Sequence, residues 1–387
     1  MNTCSSYFIY ILTTFVSLFE ITMNTKFKSE VNRDVLINTI TNVQESLSLI
    51  IKILMGSDST KAITILEYTS MKILSMKSHT FLNRGEPYTE NAILNWVKFY
   101  NVWNAFSKEQ CKEFIFDDIS MNTYNDFISF CDSLQFRQST KCLYITILKA
   151  VMSYAFTDGT SNNRLFTSRN FRSHLSYRDN TKIYLTHIEI NKIEQLNLKN
   201  KSTLDKVRDV FLIGCYTGLR VSDYSTLTIQ DIETIEMNGN KYQIIRKKQK
   251  KTGNEVIIPI LNNKILAILK KWGGMLPKTG LSTINDRIKT ICYLAGITDT
   301  IKKYDNIGGI DKIEVTTKDR MVSSHTARRS CITNLYLDGK LDIVQIMSIS
   351  GHKTEQAFFK YLCYSSEECA KRIIENLKVD CHVSYLQ

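Results

Sequence analysis

The amino-acid sequence predicts a mainly α-helical protein with a small β-sheet or hairpin. Only 3 prolines and 15 glycines occur among 387 residues, which leaves little room for a loop-rich all-β fold. Long stretches place apolar side chains three and four residues apart, the spacing of one face of a helix. Two short runs, 242–247 and 255–260, are rich in Ile and Val and are typical of strands.

The composition is that of a globular chain with excess positive charge. Hydrophobic residues make up 43% of the chain and charged residues 23%, and the net charge is +12. Such a surplus attracts polyanions, most commonly nucleic acid, although a basic surface that serves solubility is the alternative. None of the 10 cysteines forms a C-x-x-C pair, which favours neither a zinc site nor a disulfide framework. The cysteine pattern therefore predicts no zinc site and suits a reducing cytoplasm.

The first 22 residues differ from the rest. The run YFIYILTTFVSLF is shorter than the ~20 residues of a membrane-spanning helix, and it lacks the basic start and the cleavage site of a signal peptide. Met23 opens an ordinary polar start. We expect residues 1–22 to be a non-native or disordered extension, with a membrane anchor as the alternative.

Two helical regions follow. Residues 23–85 are expected to form an accessory region, either a small DNA-binding module or a helical pair that packs on the next region. Residues 88–175 predict a compact helical unit with helices in NAILNWVKFYNVWNAF, in NTYNDFISFCDSL and from Thr140 to Phe156. Aromatic stripes at helical spacing usually form a core, so no function is assigned to Trp96, Trp103 or Phe130.

A basic segment ends this region. One acid, Asp179, stands against five basic residues, which are Arg164, Arg169, Arg172, Arg178 and Lys182. Such a segment either follows a phosphate backbone or is a solvated tether. On the first interpretation, Arg172 and Arg178 bind DNA.

Residues 184–387 predict a second domain. Its helix DKVRDVFLIGCYTG ends at Gly218, and a Lys-rich turn joins the two predicted strands. Further helices are expected at about 261–272, 281–295, 326–338 and 341–349, and a short helical pattern opens the tail after residue 364.

The first two of four chemically informative pieces lie early in this domain. In TGLRVSDYSTL, Arg220 and Asp223 would share one face of a helix, where the carboxylate can orient the guanidinium; a surface ion pair is the alternative. The Lys-rich turn suits phosphate contact through Lys247, Lys248 and Lys250, and a lysine there can also donate a proton.

The other two pieces lie near the C-terminus. In SSHTARRS, His325 and Arg328 share a face near a helix N-terminus, with Arg329 as the alternative inward residue. In SGHKTEQAFFKYLCY, Gly351 ends a helix, His352 follows it, and a tyrosine lies nine residues after His352.

In this order the pieces suit phosphoryl transfer at a DNA phosphodiester. Guanidinium groups match the non-bridging phosphate oxygens and stabilise charge in the transition state. A tyrosine hydroxyl, with a free pKa of about 10, needs cationic surroundings to become a nucleophile. No carboxylate cluster or His/Cys spacing predicts a metal site.

The ordered set resembles the catalytic domain of the tyrosine recombinase (phage integrase) family, especially the integrases of bacterial mobile elements. The resemblance runs from about Tyr184 to Glu375 and includes YLTHIEI, GCYTGLRVSDYSTLT, KKTGNEVIIPI, HTARRS and ISGHKTEQAFFKY. It implies that Arg220 and Arg328 bind the scissile phosphate, that Asp223 supports the site, and that His352 hydrogen-bonds the phosphate.

The resemblance also implies roles in proton transfer and bond formation. Lys251 would be the general acid toward the leaving 5′ oxygen, and His325 would assist proton transfer. Tyr361 would form a covalent 3′-phosphotyrosine intermediate, with Tyr364 as the alternative nucleophile.

The implied protein is a site-specific DNA recombinase or integrase that needs neither metal nor ATP. Residues 88–175 would be its helical core-binding domain, double-stranded DNA its substrate, and a homotetramer on two recombination sites its working form. The resemblance also allows for accessory DNA-bending proteins. The alternatives are a type IB topoisomerase and a non-catalytic DNA-binding regulator on the same fold.

Overall fold

The computed structural model describes residues 62–171, 181–199, 201–364 and 366–377. The described residues divide into two compact units. The first contains residues up to 171 together with 306–310, and the second contains 181–305 and 311–377. The predicted extension at 1–22, most of the accessory region, and both Arg172 and Arg178 lie outside the described residues.

Over its described residues, the first unit contains four α-helices: α1 (Ile65–Lys77), α2 (Glu90–Glu109), α3 (Met121–Ser133) and α4 (Gln138–Thr157). Hydroxyl side chains cap three of their N-termini, as Thr64, Thr89 and Ser120 accept hydrogen bonds from backbone N–H groups of the first turn. The three helices predicted between residues 88 and 175 are confirmed.

The aromatic stripes of these helices form the core of the first unit. Phe99, Phe106 and Phe127 are fully buried around Trp103, whose ring centroid lies 4.8 Å from that of Phe127. Each such ring contributes roughly 1.5–3 kcal/mol by leaving water. Helix α1, which the sequence assigned to the accessory region, packs into this same core.

The second unit opens with α5 (His187–Gln195), α6 (Ser202–Thr217) and the short α7 (Val221–Tyr224). Strands β1 (Ile232–Met237), β2 (Asn240–Lys248) and β3 (Glu255–Pro259) follow. Helices α8 (Lys264–Lys271) and α9 (Leu281–Leu294) precede a hairpin of β4 (Thr300–Ile307) and β5 (Ile310–Thr317). The unit ends with α10 (Lys318–Met321), α11 (Ser324–Asp338), α12 (Ile343–Ser350), α13 (Glu355–Phe359) and α14 (Ser366–Leu377).

Strands β1, β2 and β3 form an antiparallel sheet in that order. The inward face of the sheet carries Ile245, Val256 and Ile258, all buried in the core of the unit. Strand β1 was not predicted, although Asn238-Gly239 between β1 and β2 is a strong hairpin signal. Both residues have positive φ, 53° and 74°, as the tight turn requires.

The β4–β5 hairpin was not predicted either. It turns at Gly308-Gly309, where φ is again positive at both residues, and its tip groups with the first unit. The mainly helical fold with small antiparallel sheets is nevertheless the one predicted, and no helix in the described ranges is long and apolar enough to cross a membrane.

Close packing of α6 against α11 positions the functional residues of the second unit. The missing side chain of Gly214 permits this approach, because a Cβ there would lie 2.7 Å from the Tyr224 ring and 2.9 Å from Ala327 Cβ. Helix α6 then ends at Gly218, which has a φ of 65°. The chain therefore turns sharply into Arg220 beside the N-terminal part of α11.

The Gly214 contact can be tested by Gly214→Ala. Alanine favours helix by about 1 kcal/mol, but overpacking two buried neighbours at contacts this short costs about 2–3 kcal/mol, so we expect a net loss of roughly 1–2 kcal/mol in unfolding free energy. The matched control is Gly280→Ala, where the nearest atom is Thr283 Oγ1 at 3.8 Å and φ is −70°. Urea unfolding compares the two variants, and a fully stable Gly214→Ala would refute the close-packing account.

Candidate active site

Tyr361, the predicted nucleophile, lies among other residues that the sequence predicts for the site. Its ring centroid is 5.0 Å from that of His325 and 4.6 Å from that of His352. The guanidinium carbon of Arg328 lies 5.1 Å from the centroid of the Tyr361 ring. Side chains from α11 and from the segment after α12 therefore meet at one place within the second unit.

Arg328 is the buried centre of this cluster. It lies in the second turn of α11 with 0% of its surface exposed. Its Nη1 donates to the backbone oxygen of Gly218 at 2.8 Å, and its Nη2 donates to Nε2 of His352 at 3.0 Å. Burial, and then the charge of Arg220, lowers the pKa of Arg328. Arg328, rather than Arg329, is thus the inward residue.

Arg220 reaches the same cluster from the turn after α6. It is the N-cap residue of α7, and its Nη1 donates to Oε1 of Gln249 at 2.9 Å. The predicted pairing with Asp223 is wrong. Because Arg220 precedes the short helix, the two side chains do not share a helical face, and Asp223 Oδ1 instead accepts the backbone N–H of Lys250 at 2.9 Å. Asp223 is fully buried and holds the Lys-rich turn.

No carboxylate neutralises the two arginines within the part of the chain that the structure describes. Their hydrogen-bond acceptors are an amide oxygen, a backbone carbonyl and a histidine ring. Adjacent, partly desolvated cations repel each other, so an anion that enters between them is strongly favoured. The arrangement is suited to binding a phosphate diester.

His352 is held as the neutral Nδ1–H tautomer. A guanidinium can only donate, so His352 Nε2 accepts from Arg328. His352 Nδ1 lies 2.9 Å from Oγ of Ser350, which itself donates to the backbone oxygen of Ile346 at 2.8 Å; Nδ1 is therefore the donor. Burial, followed by the charges of Arg328 and Arg220, lowers the pKa of His352 to about 3. In this arrangement both ring nitrogens bind protein groups, and the contact with the phosphate that the family resemblance implies stays a prediction.

His325 is also neutral near pH 7. Partial burial of its ring, followed by the charges of Arg329 and Arg328, lowers its pKa to about 4. The charges of Arg220 and Lys251 act in the same direction. Lys251 is exposed in the turn between β2 and β3, close enough for its charge to act on His325. The turn therefore brings a cation toward the cluster.

The two candidate tyrosines have different surroundings. The backbone N–H of Tyr361 donates to the oxygen of Phe358, a fully buried side chain that anchors the segment in a small core with Ile332 and Ile346. Tyr364 instead stacks on Tyr336, with ring centroids 5.4 Å apart. Of the two tyrosines, only Tyr361 packs against His325, His352 and Arg328 in the described structure.

The remaining predicted DNA contacts divide into two groups. Lys247 is held within the fold, because its Nζ binds Asp231 at 2.8 Å and the backbone oxygen of Thr226 at 3.0 Å, and its contact with DNA stays a prediction. Lys248 and Lys250 are exposed, as phosphate contact requires. Over the described ranges, no group of three or more His, Cys, Asp or Glu residues is placed to hold a metal ion.

Sequence reasoning missed two polar residues of the site, Gln249 and Ser350. Neither belongs to a recognisable pattern, since each is a neutral side chain beside a more prominent neighbour. The only signal in the sequence was position, because Gln249 immediately precedes the Lys-rich turn and Ser350 immediately precedes Gly351-His352.

Comparison with known proteins places these features in a family. Residues 183–367 match the phage integrase family, and this span contains every residue of the cluster. A search of curated proteins found no match.

Solved structures share the fold at low sequence identity. The Tn1549 transposon integrase in complex with transposon right end DNA aligns with a TM-score of 0.56 and 13% identity, over 82% of this chain and 100% of that chain. The recombinase XerH bound to a palindromic difH substrate gives 0.53 and 16%, over 85% and 95%. A lambda integrase tetramer bound to a Holliday junction gives 0.54 and 15%, over 85% and 90%.

The tautomer of His352 yields a pH prediction. Its pKa in the folded state, about 3, lies below the ordinary value of about 6.5, so the ring stays neutral at pH 7 and resists protonation as the pH falls. The unfolded chain takes up that proton more readily, and the unfolding free energy therefore decreases from pH 6.5 downward. Ring ¹⁵N chemical shifts should show Nδ1–H, with no titration above pH 5. A midpoint near 6.5 would contradict the assignment.

Proposed function

The catalytic half of this chain is a tyrosine recombinase domain of the phage integrase family, and we propose that it performs site-specific recombination through a covalent link between Tyr361 and DNA. One observation carries the proposal: Arg220 and Arg328 lack a carboxylate partner in the described structure and lie with Tyr361 in one cluster. Anion-binding cations beside a nucleophilic hydroxyl suit cleavage of a phosphodiester.

The arginines bind the non-bridging oxygens of the scissile phosphate. Arg220 has one of its five N–H groups engaged with Gln249, and Arg328 has two engaged with Gly218 and His352. The remaining N–H groups supply the planar donors that phosphate oxygens require. His352 keeps the Arg328 guanidinium in place through its Nε2.

Cleavage exchanges one phosphoester bond for another. The Tyr361 oxygen attacks phosphorus, the bond from phosphorus to the 5′ oxygen breaks, and Lys251 donates a proton to that leaving oxygen. His325, whose ring centroid lies 5.0 Å from that of Tyr361, is placed to accept the tyrosine proton. The 3′-phosphotyrosine link conserves the bond energy, so a 5′ hydroxyl of another strand can reverse the step without ATP or metal.

Double-stranded DNA is the proposed partner. The net charge of +12 and the exposed Lys248 and Lys250 favour a polyanion, and the described relatives are complexes with DNA. We assign Arg172 and Arg178 to the same interface and residues 88–175 to a core-binding domain. By analogy with the lambda integrase tetramer, the working form is a homotetramer on two sites, assisted by accessory DNA-bending proteins in the cytoplasm.

The nucleophile is tested with Tyr361→Phe. On a nicked suicide substrate made from the DNA that flanks the gene, this variant should form no covalent adduct while it binds DNA with unchanged affinity, because only the hydroxyl is lost. Tyr364→Phe is the matched control and should form the adduct at the wild-type rate. Denaturing gels score the adduct, and the reverse result in the two variants would move the nucleophile to Tyr364.

The role of Arg220 is tested with Arg220→Lys. Lysine keeps the charge and loses the planar fork, so the rate of adduct formation should fall by roughly 100-fold. The control is Arg246→Lys, because Arg246 pairs with Glu233 and Glu255 on the sheet and has no place in the cluster. Equal rates in the two variants would exclude Arg220 from phosphate binding.

A further inference from the structure

Gln249 is a buried polar residue at the point where β2 leads into the Lys-rich turn. Only 1% of its surface is exposed. Its Oε1 accepts two hydrogen bonds of 2.9 Å, one from Nη1 of Arg220 and one from Oγ1 of Thr252. Its Nε2 donates to the backbone oxygen of Ser350 at 3.4 Å. Both ends of the side-chain amide are therefore engaged.

These contacts join three segments that are distant in sequence. Arg220 follows α6, Thr252 lies directly after Lys251 in the turn, and Ser350 is the last residue of α12. The backbone of Gln249 also closes the turn, since its N–H donates to Asn254 and its oxygen accepts from Gly253.

Gly351 is shaped to admit this amide. Its φ is 70°, and a Cβ at this position would lie 2.5 Å from Gln249 Nε2 and 2.9 Å from Val256 Cγ1. The glycine before His352 thus serves two purposes: it ends α12 and leaves room for Gln249.

We propose that Gln249 is a positioning residue for DNA cleavage. Its side chain fixes the guanidinium of Arg220 relative to the turn that carries Lys251 and to the segment that carries His352. The inference rests on the proposed function. Gln249 touches no reacting atom. It acts through Arg220, whose guanidinium has no other hydrogen-bond partner among the described residues.

A free arginine side chain samples several rotamers, and its planar fork meets the phosphate in few of them. One hydrogen bond to a buried amide fixes the plane of the guanidinium and leaves four N–H groups for substrate. Loss of a hydrogen bond to a charged group should slow cleavage by roughly 10- to 100-fold.

The experiment compares Gln249→Met with Gln243→Met in the full chain. Methionine approximates the volume of glutamine and removes both hydrogen-bonding ends. Gln243 lies on β2 with its side chain exposed, so its substitution is a matched control that should leave cleavage unchanged. The rate of covalent adduct formation is measured on two nicked substrates, one with a normal scissile phosphate and one with a methylphosphonate, each stereoisomer taken separately.

A methylphosphonate lacks one negatively charged oxygen and so needs less neutralisation by arginine. If Gln249 positions Arg220, Gln249→Met should lose about 10- to 100-fold on the phosphate and less than about 3-fold on at least one methylphosphonate isomer. An equal loss of rate on all substrates would indicate a smaller folded fraction and would overturn the proposal. An unchanged rate on the phosphate substrate would also overturn it. Failure of the wild-type protein to form an adduct on phosphate would instead overturn the proposed function.

Discussion

The buried guanidinium of Arg328 is the constraint on which the catalytic unit depends. A fully buried cation is tolerated only where acceptors surround it, and here these are the oxygen of Gly218 and the ring of His352. The first requires α6 to end in a left-handed glycine against α11, and the second requires α12 to end at Gly351. Two helix C-termini are thus aimed at one side chain, and the close approach at Gly214 sets the distance between α6 and α11, the helix that carries Arg328.

This arrangement also sets the electrostatics of the site. Burial, followed by the charges of the nearby arginines, keeps His325 and His352 neutral near pH 7, and the neutral His352 ring can accept a hydrogen bond from Arg328. With no carboxylate beside the arginines in the described structure, the strongest available counter-ion is the substrate. On the proposed function, binding of the scissile phosphate would neutralise the charge of these arginines.

Much of the fold and of the site could be predicted because helices and ordered motifs have a local signature. The spacing of apolar residues predicted the long helices. The ordered motifs predicted one site, and the structure places His325, Arg328, His352 and Tyr361 against one another. Asn238-Gly239 and Gly308-Gly309 are turn signals, but the β1–β2 and β4–β5 hairpins that they connect were not predicted.

What could not be predicted depends on contacts between distant segments. Asp223 appeared to be a partner of Arg220 by spacing, but the N-cap position of Arg220 turns the two side chains apart, and the carboxylate holds Lys250 instead. Lys247 looked like its neighbours in a basic run, and only the fold brings Asp231 to it. Gln249 carries no charge and no motif, so its place between Arg220 and Ser350 is visible only in three dimensions.

Mass spectrometry of the trapped DNA adduct tests the central claim most directly. Trypsin should cut after Lys360 and Lys371 and release one peptide that contains both Tyr361 and Tyr364, so fragmentation of that peptide must locate the nucleotide remnant. We expect the remnant on Tyr361, the tyrosine beside Arg328 and the two histidines. A remnant on Tyr364, or on a residue outside this peptide, would contradict it.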